Sequence, residues 1–180
     1  MKALILTGKY AQDIEVFYPF YRMQEEGWDV ELAVLGNAET TGVYGMRLTP
    51  NTQFPEYGIG ERYDVVILPG GARALEYLRV GLLPGVIRVY HERGGVIGSI
   101  CHGTQLLISA GLVKGRRVSG YYSIKDDIVN AGGEFVDAPF VTDDRICCSP
   151  HYKYLGPWMA EVIKEAKRVR NADSPNVPVP

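Results

Sequence analysis

Two hydrophobic rhythms share this chain. Short, unbroken apolar runs alternate with longer stretches in which apolar positions recur every three or four residues. "KALILT" (2–7), "YDVVILPGG" (63–71) and "GVIGSI" (95–100) belong to the first kind and predict strands buried on both faces, and "DVELAVL" (29–35), where Asp29 and Glu31 alternate with apolar residues, predicts a further strand. Asp13 opens the first stretch of the second kind, a helix expected over Ile14–Glu26. Its apolar stripe is Val16, Phe17, Phe20, Tyr21 and Met23, and Gly27 ends it. Pro19 falls inside, so the pattern predicts a kink or a later start. "ALEYLRVG", "GVIRVYHERGG", "TQLLISAGL" and "IKDDIVNAGG" predict further helices, and a last one runs from Leu155 to Val169. "RRVSGYYS" reads as another short strand. "EFVDAPFVTDDRICCS" reads as a strand pair turning at Asp143-Asp144, and residues 36–62, rich in Gly, Thr, Pro and Asn, as a hairpin excursion around "GVYGMRLTP".

Alternating helices and continuously apolar strands predict an α/β fold, a three-layer sandwich with a mostly parallel central sheet. One domain is expected over 1–170, followed by a frayed, proline-rich tail over 171–180. Ligands of such sheets bind beyond the carboxyl ends of the strands. That directs attention to the loops at 8–13, 69–75, 101–104 and 120–123.

Composition narrows the function classes. A chain of 180 residues with a net charge of −2 gives no electrostatic reason to expect nucleic acid or an anionic membrane as partner. No apolar run is long enough for a bilayer, and the apolar stretch at the N-terminus is too short for a secretory leader, so a cytoplasmic location is expected. Cys101, Cys147 and Cys148 show no C-x-x-C spacing, and the histidines show no paired spacing. Neither a disulfide scaffold nor a metal site is expected, and no cofactor. Cys147 and Cys148 are expected to point to opposite faces of a strand as packing residues.

"GSICHGTQ" (98–105) carries the chemistry. A strand, a sharp turn and a helix, with Ser99 and Gly103 as small residues on either side of Cys101, match a nucleophile elbow. The turn would lift the sulfur above the sheet at a helix start, where backbone N–H groups favour thiolate. "LPGG" (68–71) ends the neighbouring strand, and the N–H groups of Gly71 and His102 could together form an oxyanion hole. The base is open at this point. His102 is adjacent, yet consecutive side chains on a helical turn do not normally face each other. His91 is expected at the surface, His151 could line the crevice, and Glu15 could reach the elbow and donate a hydrogen bond to the sulfur when protonated.

"AQDIEVFYPFYRMQEEGWDVELA", "YDVVILPGGARALEYLR" and "GSICHGTQLLISAGLVKGRRVSGYYSIKDDIVNAGGEFVD" together resemble the ThiJ/PfpI family. That family lies within the class I glutamine amidotransferase-like superfamily, and its relatives include PfpI-type intracellular proteases and the parkinsonism-associated protein deglycase. The resemblance implies a flavodoxin-like sandwich that forms dimers or hexamers. It makes Cys101 the nucleophile, Glu15 its carboxyl partner, His102 the base and Gly71 an oxyanion donor. Glu76 of a neighbouring subunit would orient His102. Gly70, Tyr121, Tyr122 and His151 are expected to line the pocket. Three features depart from the family pattern: one extra residue before Glu76, Gln12 where many relatives have glutamate, and "SPHYKYLGPWM" in place of the usual loop.

The activity implied is attack by a cysteine on a carbonyl or acyl carbon, with a small carbonyl compound, peptide or protein as substrate. A PfpI-type hydrolase ranks first, and a glutathione-independent glyoxalase or protein deglycase next. A redox-sensing stress protein or chaperone using oxidisable Cys101 is the non-enzymatic alternative. Glutamine amidotransfer is disfavoured, because "SPHYK" lacks the glutamate of an H-x-E pair.

Overall fold

Continuously apolar segments can be buried on both faces only if helices cover the sheet they form. The computed structural model describes residues 1–60 and 63–173. In chain order its strands are β1 (Lys2–Thr7), β2 (Asp29–Val34), β3 (Thr40–Thr41), β4 (Arg47–Leu48), β5 (Val65–Leu68), β6 (Val96–Ile100), β7 (Arg117–Val118), β8 (Glu134–Phe135), β9 (Val141–Asp143) and β10 (Ile146–Ser149). The helices are α1 (Asp13–Glu25), α2 (Ala72–Leu78), α3 (Leu83–Glu92), α4 (Thr104–Ser109), α5 (Lys125–Asn130) and α6 (Leu155–Asp173). The central sheet has the order β2-β1-β5-β6-β10-β9. All its pairings are parallel except the β10–β9 edge. The four predicted apolar strands are β1, β2, β5 and β6, and every residue of β5 and β6 is buried.

Two adjacent residues of β6 show the layers. A Cβ on Gly98 would press on Val162 and Trp158, so α6 covers that face. Ser99, pointing the other way, hydrogen-bonds through Oγ to Thr104 Oγ1 of α4 at 3.0 Å. Helix α1 packs beside α6 on the first face, while α2, α3 and α5 each pack against α4 on the second. This is the expected flavodoxin-like three-layer sandwich.

Several boundaries differ from the sequence reading. Helix α1 begins at Asp13 and holds Pro19 within it. "RRVSGYYS" leaves the strand after Val118, because the Tyr121 N–H donates to the Cys101 carbonyl at 3.1 Å and draws the chain toward the elbow. Strands β7 and β8 pair with each other in a separate ribbon rather than joining the central sheet. The β9–β10 turn falls at Asp144 and Arg145, whose φ values are 44° and 64°, one residue beyond the expected position. Helix α6 continues to Asp173, through the first residues of the expected tail. The rest of that tail, 174–180, lies outside the described residues, as do 61–62 of the hairpin excursion.

His91 is corrected from surface to core. It is only 2% exposed, and its Nε2 donates to the Asp144 carbonyl at 2.6 Å, so the end of α3 holds the β9–β10 turn. Cys147 and Cys148 do lie on opposite faces. Thr142 donates its hydroxyl to Cys147 Sγ, whereas Cys148 packs toward Ser119 and Thr104.

The hairpin β3–β4 is fastened to the start of α1. Buried Asp13 accepts the N–H groups of Tyr44 and Met46 at 2.8 and 2.9 Å. Tyr10 N–H donates to the Thr41 carbonyl, and Val43 N–H to the Ala11 carbonyl. A Cβ on Gly42 would overlap the Asp13 carboxylate.

Candidate active site

The elbow is a backbone reversal at one residue. Ile100 is extended, at φ −136° and ψ 145°, and Cys101 then takes φ 58° before a 3₁₀ turn over Cys101–Gly103 leads into α4. A non-glycine residue in this left-handed region costs on the order of 1–3 kcal/mol and persists only where its surroundings enforce it. Gly103 supplies part of that enforcement. It packs so tightly on the Leu68 carbonyl that a Cβ there would overlap it.

The reversal also answers the geometric objection to His102. With Cys101 in the left-handed region, the two adjacent side chains meet, and Sγ lies 3.3 Å from His102 Nδ1. The sulfur also receives the backbone N–H groups of His102 and Gly71, the two expected oxyanion donors. Gly71 has φ 102°, and a Cβ there would lie 2.6 Å from the Tyr10 carbonyl oxygen and 2.8 Å from Gln12 N, so no other residue fits.

Glu15 is fully buried in the first turns of α1. Its Oε2 accepts the Gly70 N–H at 2.7 Å, while Oε1 has no hydrogen-bond partner among the described residues. Burial pushes this carboxyl up to about 7, against the opposing pull of the Gly70 N–H and the Cys101 thiol. Burial pushes the Cys101 thiol up as well, and ionised Glu15 adds repulsion, outweighing the N–H groups of His102 and Gly71. The N–H groups at the helix start do pull toward thiolate, as expected, but burial and Glu15 outweigh them. The elbow holds two buried acids that resist being charged together, so a thiolate goes with a protonated Glu15.

His102 is half-buried, and burial lowers its proton affinity, which favours the neutral imidazole. Its ring stacks on Tyr121, with centroids 4.8 Å apart and planes at 29°. Tyr121 in turn stacks on His151 at 5.9 Å and lies beside Tyr122 at 5.7 Å. His102 also borders a cleft of about 270 Å³, lined with it by Leu75, Glu76, Arg79, Ser123 and Asp127, among others.

The sequence-derived site residues thus fall into three groups. Cys101, His102, Glu15 and Gly71 come together. Tyr121, Tyr122 and His151 form an aromatic tier against His102. Gly70 is buried between Glu15 and Cys101, where a Cβ would lie 2.6 Å from Glu15 Oε2 and 2.8 Å from Cys101 Cβ. Glu76 is exposed on α2 and faces the same cleft as His102. Sequence reasoning missed Ser123, whose Oγ lies 3.2 Å from His102 Nε2. A serine in "YYS" carries no signal of its own. Among the described residues, no three His, Cys, Asp or Glu side chains gather to hold a metal ion, and no helix is long and apolar enough to cross a membrane.

Known proteins share this arrangement of elements. Residues 1–165 match the DJ-1/PfpI family. Deglycase PH1704 of Pyrococcus horikoshii is 39% identical over 168 residues, covering 93% of this chain and 100% of the relative. Deglycase PfpI of Pyrococcus furiosus is 38% identical over 168 residues, with 93% and 100% covered. The crystal structure of Drosophila melanogaster DJ-1beta superposes with a TM-score of 0.82 at 22% identity, covering 95% of this chain and 96% of that one, a likeness of fold.

Proposed function

The chain belongs to the DJ-1/PfpI family, and from that premise we propose that it is a cysteine-dependent enzyme that releases an amine from a carbonyl or acyl carbon. Deglycation, the activity named for its archaeal relatives, and peptide-bond hydrolysis are the two forms of this reaction. The observation that carries the reading is the convergence on Cys101 Sγ of an imidazole nitrogen, two backbone N–H groups and a buried carboxyl on a left-handed elbow.

The chemistry follows from that geometry. The thiol proton passes to His102 Nδ1 as sulfur bonds to the electrophilic carbon. The carbonyl π pair moves to oxygen, which the N–H groups of Gly71 and His102 hold. With an amide, the oxyanion pair then re-forms the C=O bond as the C–N bond breaks. With a methylglyoxal–amine hemiaminal, whose nitrogen-bearing carbon holds no π bond, sulfur instead takes the place of the nitrogen at that carbon. In both cases the amine leaves with the proton from Nδ1. Water attacks the sulfur-bound carbon, and the thiol is regenerated. Protonated Glu15 donates to the sulfur and keeps a second negative charge out of the buried site. The same addition to free methylglyoxal, followed by transfer of the C1 hydrogen to C2 as a proton and hydrolysis of the resulting thioester, would give lactate, which is glyoxalase chemistry.

The test supplies wild type and Cys101→Ser with an amine pre-reacted with methylglyoxal and, separately, with a chromogenic peptide amide. Amine release is followed by NMR. Turnover by the wild type that disappears in Cys101→Ser is expected, whereas turnover that survives the substitution defeats the proposal. A cytoplasmic homo-oligomer belongs to the same reading, since exposed Glu76 at the cleft is available to a second copy. Light scattering of the purified chain checks the association.

A further inference from the structure

We infer that Ser123 is a positioning residue for His102, its hydroxyl accepting the Nε2 proton so that the Nδ1 lone pair faces Cys101. This rests on the reading of His102 as the base.

An imidazole at an elbow has two ways to be wrong. It can carry its proton on the nitrogen that faces the thiol, or it can turn over about its Cβ–Cγ bond. The stack on Tyr121 fixes the plane of the His102 ring but cannot tell a ring from its flipped form, which lies in the same plane. The flip exchanges Nδ1 with Cδ2 and would set a carbon against the sulfur. Only contacts at the ring edge distinguish the two orientations. Among the described residues there are two of these: Nδ1 to Cys101 Sγ at 3.3 Å, and Nε2 to Ser123 Oγ at 3.2 Å.

The direction of the chain of hydrogen bonds follows from its ends. With Glu15 protonated and donating to the sulfur, the single thiol proton goes to Nδ1, which leaves the ring proton on Nε2 and makes the serine hydroxyl the acceptor. That polarity is the one proton transfer needs, because Nδ1 must be free to take the thiol proton.

The backbone supports the same conclusion. Ser123 lies in a 3₁₀ turn over Tyr122–Ile124, just after Tyr121. The Tyr121 N–H is bonded to the Cys101 carbonyl at 3.1 Å, and the Ile124 N–H to the Tyr121 carbonyl at 3.0 Å. One short segment, fastened to the nucleophile's own carbonyl, therefore presents both the stacking ring and the edge hydroxyl. The hydroxyl is also neutral. It orients His102 without adding a charge that would keep the imidazole protonated, as a carboxylate in its place would.

The experiment measures imidazole nitrogens by long-range ¹H–¹⁵N NMR near neutral pH on the full chain, as wild type and as Ser123→Ala, Ser123→Thr and Glu76→Gln. A single Nε2–H tautomer is expected for His102 in wild type, retained in Ser123→Thr and Glu76→Gln and lost or mixed in Ser123→Ala. Amine release should fall about tenfold in kcat for Ser123→Ala, with KM little changed, and recover in Ser123→Thr. Ser123→Asp should move the ascending limb of the pH profile to higher pH. A pure Nε2–H tautomer that persists in Ser123→Ala, or one lost only in Glu76→Gln, overturns the inference. The spectrum judges Ser123 and turnover by Cys101→Ser judges the chemistry, so the two readings fail separately.

Discussion

Cys101 and the pair Cys147–Cys148 occupy neighbouring parallel strands or their ends, all are buried, and burial pushes all three thiols up, the latter two to about 12. Their surroundings differ in kind. Cys147 and Cys148 lie within β10, with regular strand backbone and neighbours that fill space, donate a hydroxyl or, at Cys148, offer one backbone N–H, from Ser119. Cys101 stands one residue beyond β6, at φ 58°, where backbone N–H groups, an imidazole and a carboxyl converge. Burial is therefore not what sets Cys101, the proposed nucleophile, apart from the two packing cysteines. The separation comes from a single backbone reversal that brings polar groups to the sulfur while apolar walls still exclude water.

The widest split expected between the two environments is in activity. Cys101→Ala should lower kcat/KM for amine release by at least about 10³-fold, whereas Cys148→Ala should leave it within about twofold. Steady-state kinetics on both variants checks this, and a comparable loss from Cys148→Ala would erase the distinction. Next comes Gly70→Ala. The new methyl would meet Glu15 Oε2 at 2.6 Å, Cys101 Cβ at 2.8 Å and His102 N at 2.9 Å. Displacing any of these by a fraction of an ångström should cost about 10²-fold in kcat, while circular dichroism stays native.

Glu15→Gln sharpens the contrast through pH. The carboxyl ordinarily titrates at 4.5 and is raised to about 7 in the fold. Its protonated form is thus fully favoured below the lower value, and the penalty of a buried charge develops as pH rises through the upper one. At full development that penalty is roughly 3 kcal/mol. Glu15→Gln should accordingly stabilise the protein more at pH 8 than at pH 5 in denaturant melts. It should also remove the fall in activity expected of the wild type above about pH 7. An equal change at both pH values would mean that Glu15 is not buried as a proton carrier. Smallest is the stability cost of Cys148→Ala, about 1 kcal/mol of lost packing by thermal melt, with no dependence on pH near neutrality.

How much of this was legible in sequence follows the range of the interactions. "KALILT", "VVIL" and "GVIGSI" announced the central strands because burial on both faces writes itself as an unbroken apolar run. Cys101 was legible because an elbow needs small residues at fixed, local spacing. The burial of His91 was not, since its partner is a carbonyl at residue 144, far along the chain. Ser123 was invisible for the same reason, 21 residues from the ring it touches. The proposed difficulty between Cys101 and His102 came from assuming ordinary helical backbone, and the φ of one residue removes it. Strands β7 and β8 were legible as strands, but their separation from the central sheet was not, because two-residue strands carry no periodicity to read.

The fastening of the β3–β4 hairpin has a consequence for anyone altering this protein. Surface hairpins are the usual places to insert tags, graft peptides or accept length variation between relatives. Here the tip residues Tyr44 and Met46 hold the carboxylate of Asp13, two positions before the buried Glu15 on the same helical turn. A graft between Thr41 and Arg47 would loosen the register of that turn and be felt as altered catalysis, although nothing in the insert touches the sulfur. The graftable ground lies elsewhere, and the hairpin is better treated as part of the site's foundation than as free surface.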